Sequence, residues 1–125
     1  MLDGDNIRQG LNPDLGFSDA DRAENIHRIA QVARLFVDAG VIVAVALISL
    51  FRAERDAARA LFAQGDFPEV FVDVPLAVAE GRDPKGLYRK VRSGALPQFI
   101  GIESPYEPRQ TTELVLPTAH LTPAE

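Results

Sequence analysis

The sequence contains no cysteine and no tryptophan. Without cysteine it can form neither a disulfide framework nor a thiolate metal site or nucleophile, which is typical of proteins from a reducing cytosol. Long apolar runs are also missing: the longest, at residues 41–48, is far shorter than the roughly 20 residues that span a bilayer. The start of the chain, MLDGD, is acidic and lacks the apolar stretch of a signal peptide. We therefore expect a cytoplasmic protein without a membrane partner.

An excess of basic charge is missing as well. The chain has 13 Lys and Arg against 18 Asp and Glu, a formal charge of −5, which argues against a nucleic-acid partner. Its 46% hydrophobic and 25% charged residues are an ordinary globular composition, and 125 residues suit one domain. We predict a single domain over residues 1–125, with a loose tail at 117–125 that carries two prolines.

A long helix is predicted at residues 19–39. Ser18 with Asp21 forms a start similar to a capping box, and Gly40 suits a left-handed C-cap. Apolar residues recur between them at helical spacing and form one stripe. The stripe consists of Ile26, Ile29, Ala30, Ala33, Phe36 and Val37.

Strand and helix patterns alternate after this helix. Residues 41–48 are apolar at every position and are followed by a similar run at 70–74, which predicts strands covered on both faces, as in a parallel sheet. Further helices are predicted at 52–62, 76–81 and 85–93, and a last strand at 113–116. This alternation indicates an α/β fold, with the chemistry at the carboxyl ends of the strands, where Asp3, Asp5, Ser49 and Asp73 lie.

Two polar clusters could carry chemistry in the first part of the chain. Residues 3–8, DGDNIR, offer Asp3 and Asp5 for Mg²⁺ or a proton, and Arg8 for a phosphate, but a solvated turn with an Asx-type cap fits them too. Arg22 and Asn25 share a face of the predicted helix near its N-terminus, which favours an anion; an exposed face with local ion pairs is equally compatible.

A third cluster lies later, at residues 82–92, with five basic residues. It suits either a mobile segment that closes over phosphates or a solvated charged helix. Phe99, beside Gln98, could stack on a base or pin a loop to the core. His27 and His120 have no metal-ligand spacing, and Ser49 lacks the G-x-S-x-G context of a hydrolase nucleophile.

Together these clusters resemble the adenylyl-sulfate kinase family, whose members phosphorylate adenosine 5′-phosphosulfate (APS) at its 3′-hydroxyl with ATP. The resemblance runs in order through almost the whole chain. It rests on LDGDNIRQGLN (2–12), DLGFSDADRAENIHRIAQVARLFVDAG (14–40), ISLFRAERDAAR (48–59), EVFVDVPL (69–76), RDPKGLY (82–88) and FIGIESPYEP (99–108). It implies a three-layer α/β fold of the P-loop nucleotide-kinase type, a parallel sheet with flanking helices.

The resemblance also implies a substrate site and two further reactants, ATP as co-substrate and Mg²⁺. Asp5, with Asp3 as a second candidate, would be the acid near Mg²⁺ and the attacked hydroxyl. Ser49 matches the serine of bacterial members that forms a phosphoserine intermediate. Lys85 would belong to a lid, while Phe99 would stack on the adenine. The implied APS contacts are Asp5, Asn6, Ile7, Arg8, Phe17, Arg22, Asn25, Ile48, Ser49, Lys85, Gln98 and Phe99.

The chain departs from the family pattern in three single positions and one large segment. Leu50 stands where the family has proline, Gln9 where it has histidine and Ile100 where it has threonine. The family's first strand, which lies between those matching 41–48 and 70–74, its G-x-x-x-x-G-K-[ST] loop and its first helix are not in these 125 residues. Backbone amides and the lysine of that loop hold the β- and γ-phosphates of ATP.

We therefore expect a fragment truncated at the N-terminus, with no ATP-binding residues of its own and inactive in isolation. One alternative is a non-catalytic remnant that binds APS or a related nucleotide. The other is a fragment of a bifunctional sulfate-activation protein. A homodimer or an adjoining sulfate-activation domain remain the macromolecular partners to consider.

Overall fold

The computed structural model describes residues 1–83, 86–93, 106–108 and 112–121, and these form an α/β structure with parallel strand pairs. The elements are β1 (Leu2–Asp3), α1 (Gly4–Gly10), α2 (Asp19–Asp38), β2 (Val45–Ala46), α3 (Arg52–Arg59), β3 (Val70–Asp73), α4 (Leu76–Arg82), α5 (Leu87–Arg92) and β4 (Leu114–Pro117). They divide into two compact units, Met1–Phe67 and Pro68–Glu125. The predicted fold class is confirmed, whereas the prediction of a single domain stays a prediction.

The long helix α2 begins and ends at the predicted signals. Ser18 Oγ accepts a hydrogen bond from the Asp21 backbone N–H at 3.1 Å and donates to Asp21 Oδ2 at 2.8 Å. At the other end Gly40 has a φ of +80°. The amide of Val41 donates to Phe36 O at 2.9 Å and that of Gly40 to Val37 O at 2.8 Å, which is the hydrogen-bond pattern of a Schellman motif.

The core of the first unit lies between α2 and α3. Ile26 and Ala30 of α2 pack with Ala58 of α3, and Leu47, Leu61 and Phe67 cover this cluster. Ile29 and Ala33 are also buried, so the predicted stripe is confirmed over its first four positions. Phe36 is an exception, since 46% of it is exposed. It lies in the last turns of α2.

The sheet of the first unit corrects the prediction for residues 41–48. β2 contains two residues and pairs in parallel with β1, Leu2 opposite Val45 and Asp3 opposite Ala46. Ile42 is 100% exposed and Ile48 66% exposed, so this run is not a strand covered on both faces. Among the described residues β2 has one partner strand, β1, which is two residues long. The rest of the run therefore has no strand beside it within the described residues.

The second unit is built on β3 and β4, which pair in parallel from Val70–Leu114 to Asp73–Pro117. Both strands are confirmed at their predicted places, but Val72 is 56% exposed, so β3 is not covered on both faces either. β2 and β3 belong to different sheets.

The helices of the second unit and the residues after β4 are held by polar contacts. Asp83 follows α4 and accepts from the backbone N–H groups of Tyr88 and Arg89, both at 3.2 Å. No residue of α5 is buried, which fits the solvated charged helix that the sequence left open. In the predicted loose tail, the backbone N–H of Thr118 donates to Asp73 O at 2.9 Å. Residues 122–125 of that tail lie outside the described residues.

Within the described ranges, no helix is both long and apolar enough to cross a membrane.

Candidate substrate-binding site

The turn from β1 into α1 holds the two predicted acidic residues. Asp3 is the N-cap of α1, and its Oδ1 accepts from the Asp5 backbone N–H at 3.1 Å, so the Asx-type cap is confirmed. Asp5 is exposed in the first turn of the helix. A Cβ atom at Gly4 would lie 3.3 Å from Leu47 Cδ2. This close approach places the start of α1 beside the residues that follow β2.

Arg8 is fixed above the ring of Phe17. Its Nη1 donates to Gly16 O at 2.7 Å and lies 3.4 Å from Leu15 O, while its guanidinium carbon is 4.4 Å from the centroid of Phe17. The ring itself is 61% exposed. The structure therefore brings together two predicted substrate residues, a cation and an open aromatic face.

Arg22 and Asn25 are buried on one face of α2, with 8% and 5% of their surfaces exposed. Arg22 Nη1 lies 3.8 Å from Asp19 Oδ1. Asn25 Oδ1 accepts a hydrogen bond of 3.0 Å from Nδ2 of Asn12, a residue with 0% exposure. The prediction that Arg22 and Asn25 share a face is confirmed, and the alternative of an exposed face is wrong for these two.

Ile48 and Ser49 follow β2, as predicted. Ile48 is largely exposed, whereas Ser49 Oγ is buried and has no hydrogen-bond partner among the described residues. The backbone oxygen of Ser49 accepts from Arg55 Nη1 at 2.8 Å, and Leu50 is 3% exposed. The loop is therefore anchored from α3 on one side and by a buried apolar side chain on the other.

The remaining predicted contacts divide into described and undescribed residues. On α1, Asn6 is exposed and Ile7 is buried, with its carbonyl accepting from the Asn12 backbone N–H at 2.9 Å. The predicted positions Lys85, Gln98 and Phe99 lie outside the described residues.

An ion-pair network holds the loop between α1 and α2. Arg28 donates from Nη1 to Asp14 Oδ1 at 2.9 Å and from Nε to Glu24 Oε1 at 2.7 Å. The hydrogen bond from Arg28 lowers the pKa of Asp14 below its usual value, and the bonds to Asp14 and Glu24 raise the pKa of Arg28. This network joins the loop that supplies Leu15 and Gly16 to α2.

Sequence reasoning missed two residues that support the predicted ones, Asn12 and Arg55. Arg55 shares a helical face with Ala58, three residues on, and that spacing was a usable signal of a core-facing arginine. For Asn12 the sequence holds no such signal, since an asparagine before a proline is typical of an exposed turn.

Within the described ranges, no group of three or more His, Cys, Asp or Glu side chains is arranged to hold a metal ion. A Mg²⁺ ion bound together with substrate phosphates needs only one or two carboxylates, a smaller set than this.

Known proteins match this chain over most of its length. The family model described as "Adenylylsulphate kinase" matches residues 1–117. An adenylyl-sulfate kinase of Geotalea daltonii is 65% identical over 119 residues, which are 95% of this chain and 59% of that protein. The chain thus spans about three fifths of that relative's length.

Two further relatives are informative. The Mycobacterium tuberculosis APS kinase CysC, solved in complex with AMPPNP and APS, is 52% identical with a TM-score of 0.88, covering 93% of this chain and 68% of that one. A bifunctional enzyme CysN/CysC of Xylella fastidiosa is 60% identical over 125 residues, all of this chain but 20% of that protein.

Proposed function

Since this chain belongs to the adenylylsulphate kinase family, we propose that it forms the APS-binding part of an enzyme of sulfate assimilation that transfers the γ-phosphate of ATP to the 3′-hydroxyl of APS. The observation that carries the proposal is Arg8, fixed over the exposed ring of Phe17. APS combines an aromatic base with a negatively charged phosphosulfate. A preset guanidinium beside an open phenyl face offers a partner to each.

The buried face of α2 supplies the second half of the proposed site. Arg22 lies in the first turn of the helix, where the helix dipole already favours an anion, and its burial strengthens its interaction with one. Asn25, one turn further, adds an uncharged donor. We assign both to the nucleotide, with Asn6, Ile7 and Ile48 as further contacts.

Asp5 is the residue we assign to the reacting hydroxyl. Its carboxylate is exposed at the start of α1 and can accept a hydrogen bond from the 3′-hydroxyl. Phosphoryl transfer of this kind depends on positioning and charge neutralisation. When Mg²⁺ is bound, it neutralises charge on the phosphates, and Asp5 is the better ligand for it, because Asp3 Oδ1 already caps α1.

The contacts of ATP are assigned to none of the described side chains. These 125 residues contain no G-x-x-x-x-G-K-[ST] sequence, so the phosphate cradle of the donor nucleotide lies outside them in this proposal. The phosphoserine role of Ser49 also stays a proposal. Because Ser49 Oγ is buried, a phosphoryl donor could reach it only after the loop at 48–50 had moved.

A second candidate is a protein in which this segment is one part of a bifunctional sulfate-activating enzyme. The match to the Xylella enzyme favours it, because that match covers all of this chain and only one fifth of that enzyme. The two candidates share the APS site and differ in the domain that adjoins it. The genomic sequence around this chain distinguishes them, because a bifunctional protein requires a second domain in the same reading frame.

Calorimetric titration of the chain with APS tests the site. We expect saturable binding that weakens about tenfold or more in Arg8→Gln, since a lost charge-assisted hydrogen bond is worth about 1.5–3 kcal/mol. Arg34→Gln is the matched control, because Arg34 pairs with Asp38 near the other end of α2. A folded chain that binds no APS, or equal loss in both variants, would contradict the proposal.

Transfer is tested separately from binding. Chromatography of APS incubated with the protein, ATP and Mg²⁺ detects the 3′-phosphorylated product. If these residues supply the acceptor site alone, AMPPNP leaves the APS affinity of the isolated chain unchanged. A rise in that affinity with AMPPNP would show that the chain also binds the donor nucleotide, against our assignment.

A further inference from the structure

We infer that Asn12 is a positioning residue, which orients the side-chain amide of Asn25 so that its NH₂ group faces the bound nucleotide. The inference rests on the proposed function, because it takes Asn25 to be an APS contact. It gives Asn12 a role in the site. It also specifies that Asn25 offers the nucleotide a hydrogen-bond donor rather than an acceptor.

The hydrogen bond between the two amides fixes that polarity. Asn12 Nδ2 donates to Asn25 Oδ1 at 3.0 Å. An asparagine amide has one accepting oxygen and one donating nitrogen, so the bond engages the oxygen of Asn25 and leaves its nitrogen for another partner. The oxygens of a phosphosulfate and the ring nitrogens of adenine are acceptors, and Asn25 in this orientation presents the group they require.

Asn12 is held by its own surroundings, so it can impose this orientation. Its exposure is 0%, and its backbone N–H donates to Ile7 O at 2.9 Å, which ties it to the end of α1. Its carbonyl accepts from the Leu15 N–H at 3.3 Å. The residue is therefore anchored to the same loop that positions Arg8.

The other amide atom of Asn12 makes no hydrogen bond to the described residues. Its Oδ1 is buried and has no hydrogen-bond partner among the described residues. A buried polar atom without a partner is destabilising, so the oxygen of this amide is a cost that accompanies its donor. An asparagine at a fully buried position is expected when its donor is needed, here by Asn25.

Two variants at Asn12 test the inference by APS affinity. Asn12→Asp replaces the donor with an acceptor of the same shape, so the Asn25 amide turns and presents its oxygen to the ligand. We expect APS affinity to fall about tenfold or more. Gln9→Glu adds one negative charge at an exposed position of α1 and measures the effect of charge alone, so it should lower the affinity much less.

Asn12→Leu covers the case in which a buried carboxylate prevents folding. It removes the donor to Asn25 Oδ1 and the unpartnered oxygen together, and because these two effects oppose each other we expect a folded chain of similar stability and an APS affinity again about tenfold lower. Wild-type affinity in a folded Asn12→Leu chain, or equal loss in Asn12→Asp and Gln9→Glu, would overturn the inference.

NMR of the side-chain amides separates this inference from the proposed function. In the free wild-type chain the Asn25 NH₂ protons should exchange with solvent faster than those of Asn12. In Asn12→Asp the Asn25 protons should become protected, since the carboxylate accepts from them. If the wild type bound no APS, the proposed function would fail; if the Asn25 amide exchanged equally in both proteins, the positioning role would fail.

Discussion

Arg55 Nη1 donates to the backbone oxygen of Ser49 at 2.8 Å, from the first turns of α3 back to the loop after β2. The resemblance assigns Ser49 to substrate binding, and Arg55 is its contact within the protein. In the family a proline stiffens this loop, whereas here the corresponding residue is Leu50. The guanidinium of Arg55 and the burial of Leu50, which is 3% exposed, hold the loop instead.

Replacing Arg55 should therefore weaken the fold. We expect Arg55→Gln to lower the free energy of unfolding by about 1–3 kcal/mol, because the Ser49 carbonyl loses a charged donor in a partly buried hydrogen bond. Arg52→Gln removes the same group from an exposed position of α3 and should cost less than about 1 kcal/mol. Urea denaturation of both variants measures the difference. Equal effects would show that Arg55 does not hold the loop.

The two serines Ser18 and Ser49 should respond in opposite ways to alanine. The Ser18 hydroxyl caps α2, so Ser18→Ala should lower the free energy of unfolding by about 0.5–2 kcal/mol. The buried Ser49 hydroxyl has no partner among the described residues, so Ser49→Ala should leave it unchanged or raise it by about 1 kcal/mol. Thermal denaturation checks both. Clear destabilisation by Ser49→Ala would reveal a partner for the hydroxyl in solution.

The Asp14–Arg28 pair predicts a small acid-dependent stability. Because the hydrogen bond from Arg28 lowers the pKa of Asp14 in the folded state, the pair contributes above the unfolded pKa, about 4, and is lost as the pH falls through the folded pKa. Asp14→Asn should thus be slightly less stable than wild type at pH 7 and equal to it at the acid end. Asp14 is exposed and Arg28 is partly exposed, so the difference is small.

Urea denaturation from pH 7 down to pH 2.5 measures this difference. Asp38→Asn is the control, because it removes a different exposed carboxylate, one that pairs with Arg34 within α2. A difference between Asp14→Asn and wild type that persists at the acid end would contradict the assigned cause.

One substitution at two isoleucines tests whether residues 41–48 are uncovered in solution. Ile29 is 1% exposed and Ile42 100% exposed. We expect Ile29→Thr to cost about 2–5 kcal/mol, from lost apolar volume and a buried hydroxyl, and Ile42→Thr to stay within about 0.5 kcal/mol of wild type. Thermal denaturation measures both. A large cost at Ile42 would mean that another chain or segment covers this run.

Local signals predicted α2 well, since its limits depend on neighbouring residues alone. The hydroxyl of Ser18 and the positive φ of Gly40 act within one turn of the helix ends. The helix α1 was not predicted, because Gly4 and Gly10 are poor helix formers. It is stabilised by the cap at Asp3 and by packing of its start near Leu47, a residue more than 40 positions away.

The extent of β2 could not be read from its composition. An apolar run shows that its residues favour a core, but the length of a strand depends on which segment pairs with it. Here β1 offers two residues. For the same reason the sequence placed Arg22 and Asn25 on one face but did not indicate Asn12, thirteen residues before Asn25, as the partner on it.

The carbonyls of Leu15 and Gly16 hold the Arg8 guanidinium before any ligand is present. A free arginine has about 2 kcal/mol of rotamer entropy, and much of this is lost when the loop folds rather than when the nucleotide arrives. Lysine, with no planar fork, could not be kept in the same place. In the proposed site, association of the nucleotide should therefore follow a single exponential without a slow rearrangement.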